Sequence, residues 1–464
     1  MALSELARAK YYNLCNPDEA LPAGDKRNVD LDDLGDAPGV RGDRWIDTLA
    51  TEICFSHKPV CRFFTGLPGS GKSTELRRLQ GLLENPGGPD RLVVYIEAEA
   101  VLDLNAPIDV PDIWVALLYE TERRVLMAEG RDPDGALGEG LLARLWHWLD
   151  TTEVDITALE VAPTSTGTAL DLAPGVSATA GLGGKLVLAL REQPSFRKKA
   201  RERIANQVTT FVRLAGEEMG RLDARAKKAG RKGLVVLFDS LEKLRGITSN
   251  WVAVLQSAER LFAGPAPFVQ LPVPVVYTIP PALILRQNVR ASFMPMIKLY
   301  DREGARYDAG FRAARALVEK RIPRGVLAEL LGAPSLESRL ERLLAWSGGY
   351  PREIVRLLQL LLRQRTVDER VFEHVLGSAG DDYRRTIPAT AYELLASIAV
   401  DHDLHAALVS PESRELADQL LSNNVVLCFH NGEEWFDLHP AIRSVKGIQI
   451  AIEKLRAARE APTP

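Results

Sequence analysis

Gly66-Leu67-Pro68-Gly69-Ser70-Gly71-Lys72-Ser73-Thr74 fits the pattern G-x-x-x-x-G-K-[ST]. That pattern carries meaning only between a strand and a helix. Arg62-Phe63-Phe64-Thr65 before it is aromatic and β-prone. After it, Leu76, Leu79, Leu82 and Leu83 recur at helical spacing. Strand, glycine loop and helix therefore follow in the order that phosphate binding needs. The glycines let successive backbone N–H groups turn inward. The helix start adds free N–H groups and its positive dipole end. Gly66, Pro68, Gly69, Ser70, Gly71, Lys72, Ser73 and Thr74 are thus candidate nucleotide ligands. Lys72 is suited to the β- and γ-phosphates, and the Ser73 hydroxyl to Mg²⁺.

The second half of such a site is an acid at the end of a buried strand. Leu234-Val235-Val236-Leu237-Phe238-Asp239-Ser240-Leu241-Glu242 supplies one. A carboxylate there is costly unless it meets a cation. Asp239 is the candidate Mg²⁺ partner, and Glu242 the candidate for orienting or deprotonating the attacking water. Leu92 to Ile96 and Pro272 to Ile279 read as further buried strands, and Phe293 to Tyr300 as a possible fifth. Thr278, near one strand end, suits either a polar group sensing the γ-phosphate or a plain β-prone residue. Strands alternating with helices predict an α/β parallel sheet with helices on both faces and ligands at the strand C-termini.

The chain has 464 residues, 46% of them apolar and 26% charged, which suits a globular protein of about three domains. A net charge of −4 gives no global basic field for nucleic acid or an acidic membrane. Cys15, Cys54, Cys61 and Cys428 form no C-x-x-C pair, which disfavours a disulfide framework or a zinc site and fits a reducing cytosol. No uncharged apolar run approaches the ~20 residues of a membrane helix. The N-terminus lacks the form of a signal peptide. A cytoplasmic location is expected.

Residues 1–40 read as a turn-rich lead-in, with Asn28 to Leu31 a possible short strand. Val40-Arg41-Gly42-Asp43 precedes an amphipathic helix and suits either a wall for an adenine base, with Arg41 as ligand, or a plain turn and cap. The main domain is expected over 41–305. Its Thr-, Ala- and Gly-rich stretch 155–194 reads as an insertion, a hairpin or a mobile loop. Residues 195–229 read as one long helix with a basic end. A helical lid is expected over 306–384, broken at Ser347-Gly348-Gly349-Tyr350-Pro351-Arg352. Over 385–446, two helices precede apolar runs flanking Asn431-Gly432, a strong hairpin signal. Helices followed by a hairpin suggest a winged helix. Residues 447–464 read as a tail, a short helix with a Pro-containing end.

Phosphate loop, acid-ended strand, polar-ended strand, helical lid and winged helix, in this order, resemble the AAA+ and STAND ATPases over residues 40–445. Asp239-Ser240-Leu241-Glu242 is similar to the acidic stretch of the NACHT-like STAND branch. Gly349-Tyr350-Pro351 resembles the STAND G-x-P turn, which implies that Pro351 lies near the adenine. Arg352 is similar in placement to a sensor-2 arginine. Phe436-Asp437-Leu438-His439-Pro440 resembles the winged-helix motif whose histidine touches the ADP β-phosphate, which implies that His439 holds an inactive ADP state. The chain departs from the pattern at Ile279-Pro280, where many STAND proteins carry Ser-Arg.

The leading expectation is a slow ATPase that acts as a switch between ADP and ATP states, with Mg²⁺, and signals through partner proteins. A nucleotide-dependent homo-oligomer and a role in stress or phage defence are implied by the resemblance alone. The alternative is a DNA-binding initiator or loader resembling the origin-recognition ATPases. Residues 385–446 carry nine acids and four Arg or Lys. That balance disfavours phosphate contacts and favours a protein partner over DNA. A small-molecule kinase ranks last, since it leaves the last 150 or so residues without a role.

Overall fold

The structure, a computed structural model, describes residues 3–31, 39–133, 141–150, 182–247, 249–264, 266–286, 288–430 and 432–460. The chain divides into two compact units. One comprises Asp47–Thr65 and Leu79–Ser292. The other comprises Met1–Ile46, Gly66–Arg78 and Phe293–Pro464.

The first unit is built on β1 (Cys61–Gly66), β2 (Leu92–Glu97), β3 (Leu234–Asp239) and β4 (Val275–Thr278), all paired in parallel. With β5 (Ala291–Met294) the sheet order is β2-β3-β4-β1-β5. Every residue of β3 is buried, so both faces of the sheet are covered. This is why its sequence reads as an unbroken apolar run without alternation. Leu234, Val236 and Phe238 join a core with Ile113, Trp114 and Leu117 of helix Val110–Ala128 and with Phe211, Met219 and Leu222 of helix Val208–Lys228. An Asp109–Asp112 capping box and Pro111 start the first of these helices.

Two expectations change here. The predicted helix over 195–229 is two helices, Pro194–Ala205 and Val208–Lys228, because Asn206-Gln207 lets the chain bend. The part of the 155–194 stretch from Leu182 to Glu192 is a helix, not a hairpin or loop. Leu186, Val187, Ala189 and Leu190 bury its apolar face in the core. Residues 155–181 lie outside the described residues.

The second unit is mainly helical. Helices Asp308–Glu319, Arg324–Leu331, Leu336–Ser347, Pro351–Leu362 and Glu369–Arg384 enclose a leucine-rich core, joined by Cys15, Leu31 and Val40 from the N-terminal stretch. Asn28 to Leu31 form no strand; Leu31 serves this core as a single buried anchor. Helices Tyr392–Asp401 and Pro411–Ser422 precede an antiparallel pair, β6 (Val426–His430) and β7 (Glu434–Leu438), and helix Lys446–Glu460 follows.

One extended stretch ties these parts together. Met296 N–H donates to the Cys428 carbonyl (2.8 Å), Ile297 N–H to Gly349 (3.1 Å) and Lys298 N–H to Val40 (3.0 Å). Gly349 has φ +74°, and a Cβ there would lie 1.8 Å from the Ile297 carbonyl oxygen. Only glycine suits this conformation and this approach.

Candidate nucleotide site

The phosphate loop continues directly from β1. Gly69 (φ +80°) and Gly71 (φ +101°) adopt the left-handed conformation that curls the loop, and helix Lys72–Leu83 starts at its end. Ser73 and Thr74 fall in the first turn, where helix N–H groups have no intrahelical acceptors. Lys72 is 3% exposed, and its ammonium donates to the carbonyls of Gly66 (2.9 Å) and Leu67 (3.0 Å). The loop therefore already holds one positive charge at the helix start. Ser70 is buried, and its Oγ has no hydrogen-bond partner.

Arg41 lies against this loop. Its guanidinium donates to the Ser70 carbonyl (3.1 Å) and stands 3.5 Å from a Glu75 carboxylate oxygen. The turn that carries it is fixed by packing, since a Cβ on Gly42 would meet the His430 ring at 2.2 Å. Tyr350 and Arg352 flank the other side: a Cβ on Gly69 would meet Tyr350 Oη and Arg352 Cβ, both at 2.7 Å. Tyr350 Oη accepts from the Asn424 side-chain amide (3.1 Å). Pro351 opens helix Pro351–Leu362, where its missing N–H costs nothing. Tyr350 enters the sequence reading only as the middle of the G-x-P turn, and its contact with Asn424 carries no pattern that a sequence could show.

His439 is in the same unit, fully buried, stacked on Tyr383 with ring centroids 4.1 Å apart. Its Nδ1 accepts from Ala441 N–H (3.1 Å), so the neutral ring carries its proton on Nε2. That Nε2 has no hydrogen-bond partner. Tyr383 Oη also reaches Glu353 (3.1 Å), which Arg356 binds through both carboxylate oxygens. Burial, reinforced by the positive Arg356 and Arg443, pushes the His439 imidazole down to about 3.

An unfolded-state histidine takes up a proton near pH 6.5, and the folded one does not until about pH 3. Stability from this group is therefore complete above pH 6.5 and is lost as pH falls toward 3. Between pH 7 and pH 5 the loss is about 2 kcal/mol. Urea unfolding at both pH values should show His439→Gln losing less stability than the wild type by that amount. Equal losses would mean that His439 is protonated in the folded protein.

In the other unit, β4 alone separates β1 from β3, so the strand ends bearing Thr65, Thr278 and Asp239 line one edge of the sheet. Asp239 is 2% exposed. Tyr95 Oη donates to one of its carboxylate oxygens (2.5 Å) and Ser240 N–H to the other (2.7 Å). Glu97 stands opposite Asp239 in the β2–β3 register. Ser240 has φ +68°, a strained conformation for a residue with a side chain, and it turns the chain into the short 3₁₀ segment Leu241–Lys243 that carries Glu242. The fully buried Thr278 hydroxyl accepts from Leu241 N–H (3.1 Å) and so pins this turn. Tyr95 was missed in the sequence because it sits inside an apolar strand run.

Among the described residues, no three His, Cys, Asp or Glu side chains form a metal-binding group. Magnesium held mainly through phosphate oxygens needs only one or two protein ligands, and takes oxygen donors such as a hydroxyl or a carboxylate. No described helix is long and apolar enough to cross a membrane.

No family model matches the chain. No curated protein matches it either. Among solved structures, the Walker-type ATPase paby2304 of Pyrococcus abyssi is 15% identical, with 89% of this chain and 95% of that one covered at a TM-score of 0.37. Drosophila ORC bound to DNA is 12% identical, with 97% and 94% covered at 0.36. The Aeropyrum pernix ORC2 protein, in ADPNP–ADP complexes, is 11% identical, with 96% and 98% covered at 0.35. Likenesses this distant assign the chain to no family.

Proposed function

We propose that this protein is a Mg²⁺-dependent ATPase of low turnover, whose ADP and ATP states differ in conformation or assembly and are read by a protein partner. The observation that carries this reading is the strand-to-helix glycine loop with Lys72 buried at its end. In it, Lys72 would pair the β- and γ-phosphates, and Ser73 and Asp239 would be the residues to hold Mg²⁺, which would neutralise phosphate charge. Glu242 orients or deprotonates the water, on a turn positioned by Thr278. The buried, unpartnered His439 Nε2 supports a role for that group in holding ADP, as the resemblance implies. Tyr350 and Arg352 against Gly69, and Asn424 against Tyr350, supply a physical route from the loop to the C-terminal helix–hairpin region, which we read as a winged helix. The domain divisions at 41–305, 306–384 and 385–446 belong to the same proposal.

The test is to purify the protein, identify any bound nucleotide, and measure its mass with ADP and with a non-hydrolysable ATP analogue. Bound ADP on a monomer that assembles with the analogue supports the switch. An unchanged mass with both nucleotides counts against it, and salt-sensitive binding to duplex DNA would favour an origin-recognition-like role.

A further inference from the structure

The N-terminal stretch touches two groups of the candidate nucleotide site. Helix Glu5–Leu14 docks on the lid: Arg363 donates to the Tyr12 hydroxyl (3.0 Å) and Arg8 to the Gln364 carbonyl (2.8 Å). Cys15 then plugs the core. Beyond it, the chain crosses to the phosphate-loop helix. Leu21 N–H donates to Thr74 Oγ1 (3.2 Å), and Arg78 holds Asp30 (3.0 Å). On the way, the Pro17 carbonyl accepts from Arg352 Nε (3.2 Å), and Asp18 stands 3.9 Å from the same nitrogen.

This stretch has its own internal clasp. Arg27 binds both carboxylate oxygens of Glu19 (2.7 and 2.6 Å) and both of Asp25 (3.1 and 2.8 Å). The guanidinium holds both carboxyls below their usual range. Leu21 is 4% exposed, so the segment is anchored by an apolar side chain as well as by hydrogen bonds.

Resting on the nucleotide-switch reading, we propose that residues 15–31 form a strap that gates nucleotide exchange, lifting off Thr74 and Arg352 whenever a nucleotide enters or leaves. Thr74 ends the phosphate loop and Arg352 lies against Gly69, so the strap holds both flanks of the loop with nucleotide bound or absent. The Pro17 and Leu21 contacts are therefore the ones that break and re-form at each exchange, while the Arg27 clasp and the Leu21 side chain set how readily the strap lifts. A gate changes entry and exit together and leaves the affinity alone.

The experiment is stopped-flow binding and release of a fluorescent ADP by the full chain, comparing the wild type with Arg27→Ala and Leu21→Asp. Arg27→Ala is partly exposed and keeps the core, so it remains informative if Leu21→Asp does not fold. Association and release should both rise about fivefold, the effect of losing one clasp-type interaction, with the Kd within about twofold. Rates equal to the wild type overturn the strap while leaving the switch intact. Faster release alone, with weakened affinity, also overturns it, because the segment would then be a nucleotide ligand. A wild-type chain that binds no fluorescent ADP removes the switch and the strap together.

Discussion

Lys72→Ala is expected to weaken ATP and ADP binding on the order of a hundredfold, measured by calorimetry or by displacement of a fluorescent nucleotide. The magnitude follows from removing one charged donor to phosphate, worth roughly 1.5–3 kcal/mol. The structure adds a second effect of the same sign. The Lys72 ammonium donates to the carbonyls of Gly66 and Leu67 within its own loop. Alanine leaves those carbonyls without that donor, so the loop also loses part of its preformed curl. Lys72→Met separates the two effects only slightly, since it restores bulk but not the donor. Lys72→Arg is the sharper comparison: it keeps the charge, but a planar fork fits poorly where a compact ammonium meets two loop carbonyls. Affinity unchanged in the alanine variant would mean that nucleotide, if bound at all, is held elsewhere.

Elements of the candidate site that local chemistry dictates are legible in the sequence, and contacts that packing dictates are not. Gly66 to Thr74 announced itself because a glycine loop before a leucine-spaced helix has few other uses. Asp239 did so because an acid ending an apolar run is costly to bury. The hairpin around Asn431-Gly432 followed from turn preference, and β6 and β7 stand on either side of it. Tyr95, which holds the Asp239 carboxylate, was invisible: a tyrosine in a strand reads as β-propensity, and only the β2–β3 pairing brings it within 2.5 Å. Arg41 read equally well as a base wall or a turn residue, yet its guanidinium meets the Ser70 carbonyl and Glu75. Gly42, next to it, lies against His430, nearly 390 positions away in the chain. The apparent strand at Asn28 to Leu31 failed for the complementary reason. Alternation over four residues marks one buried Leu31 as readily as a sheet edge.

Glu242→Gln is expected to slow ATP hydrolysis by about 10²–10³-fold while leaving ATP affinity within about threefold. Glutamine preserves the shape and a hydrogen-bonding carbonyl, but it cannot take a proton from water. The carboxylate is held where such a change should be read cleanly. It lies 7% exposed in the Leu241–Lys243 turn, and that turn is pinned by Thr278 and by the strained Ser240. A side chain on a fixed turn loses basicity without the turn relaxing around it. Asp239→Asn should behave differently. With Tyr95 Oη and Ser240 N–H still in place, the turn keeps its geometry, but the variant should need more Mg²⁺ for the same ATP affinity. Single-turnover hydrolysis of labelled ATP, with binding measured in parallel over a Mg²⁺ series, distinguishes the two. On the proposed switch reading, Glu242→Gln has a further use. It should accumulate with authentic ATP the assembly state expected of the wild type with a non-hydrolysable analogue. Hydrolysis at the wild-type rate would remove Glu242 from the chemistry. Slow hydrolysis without accumulation of that state would instead separate the ATPase from the switch, because the ATP form would then exist and have no structural consequence.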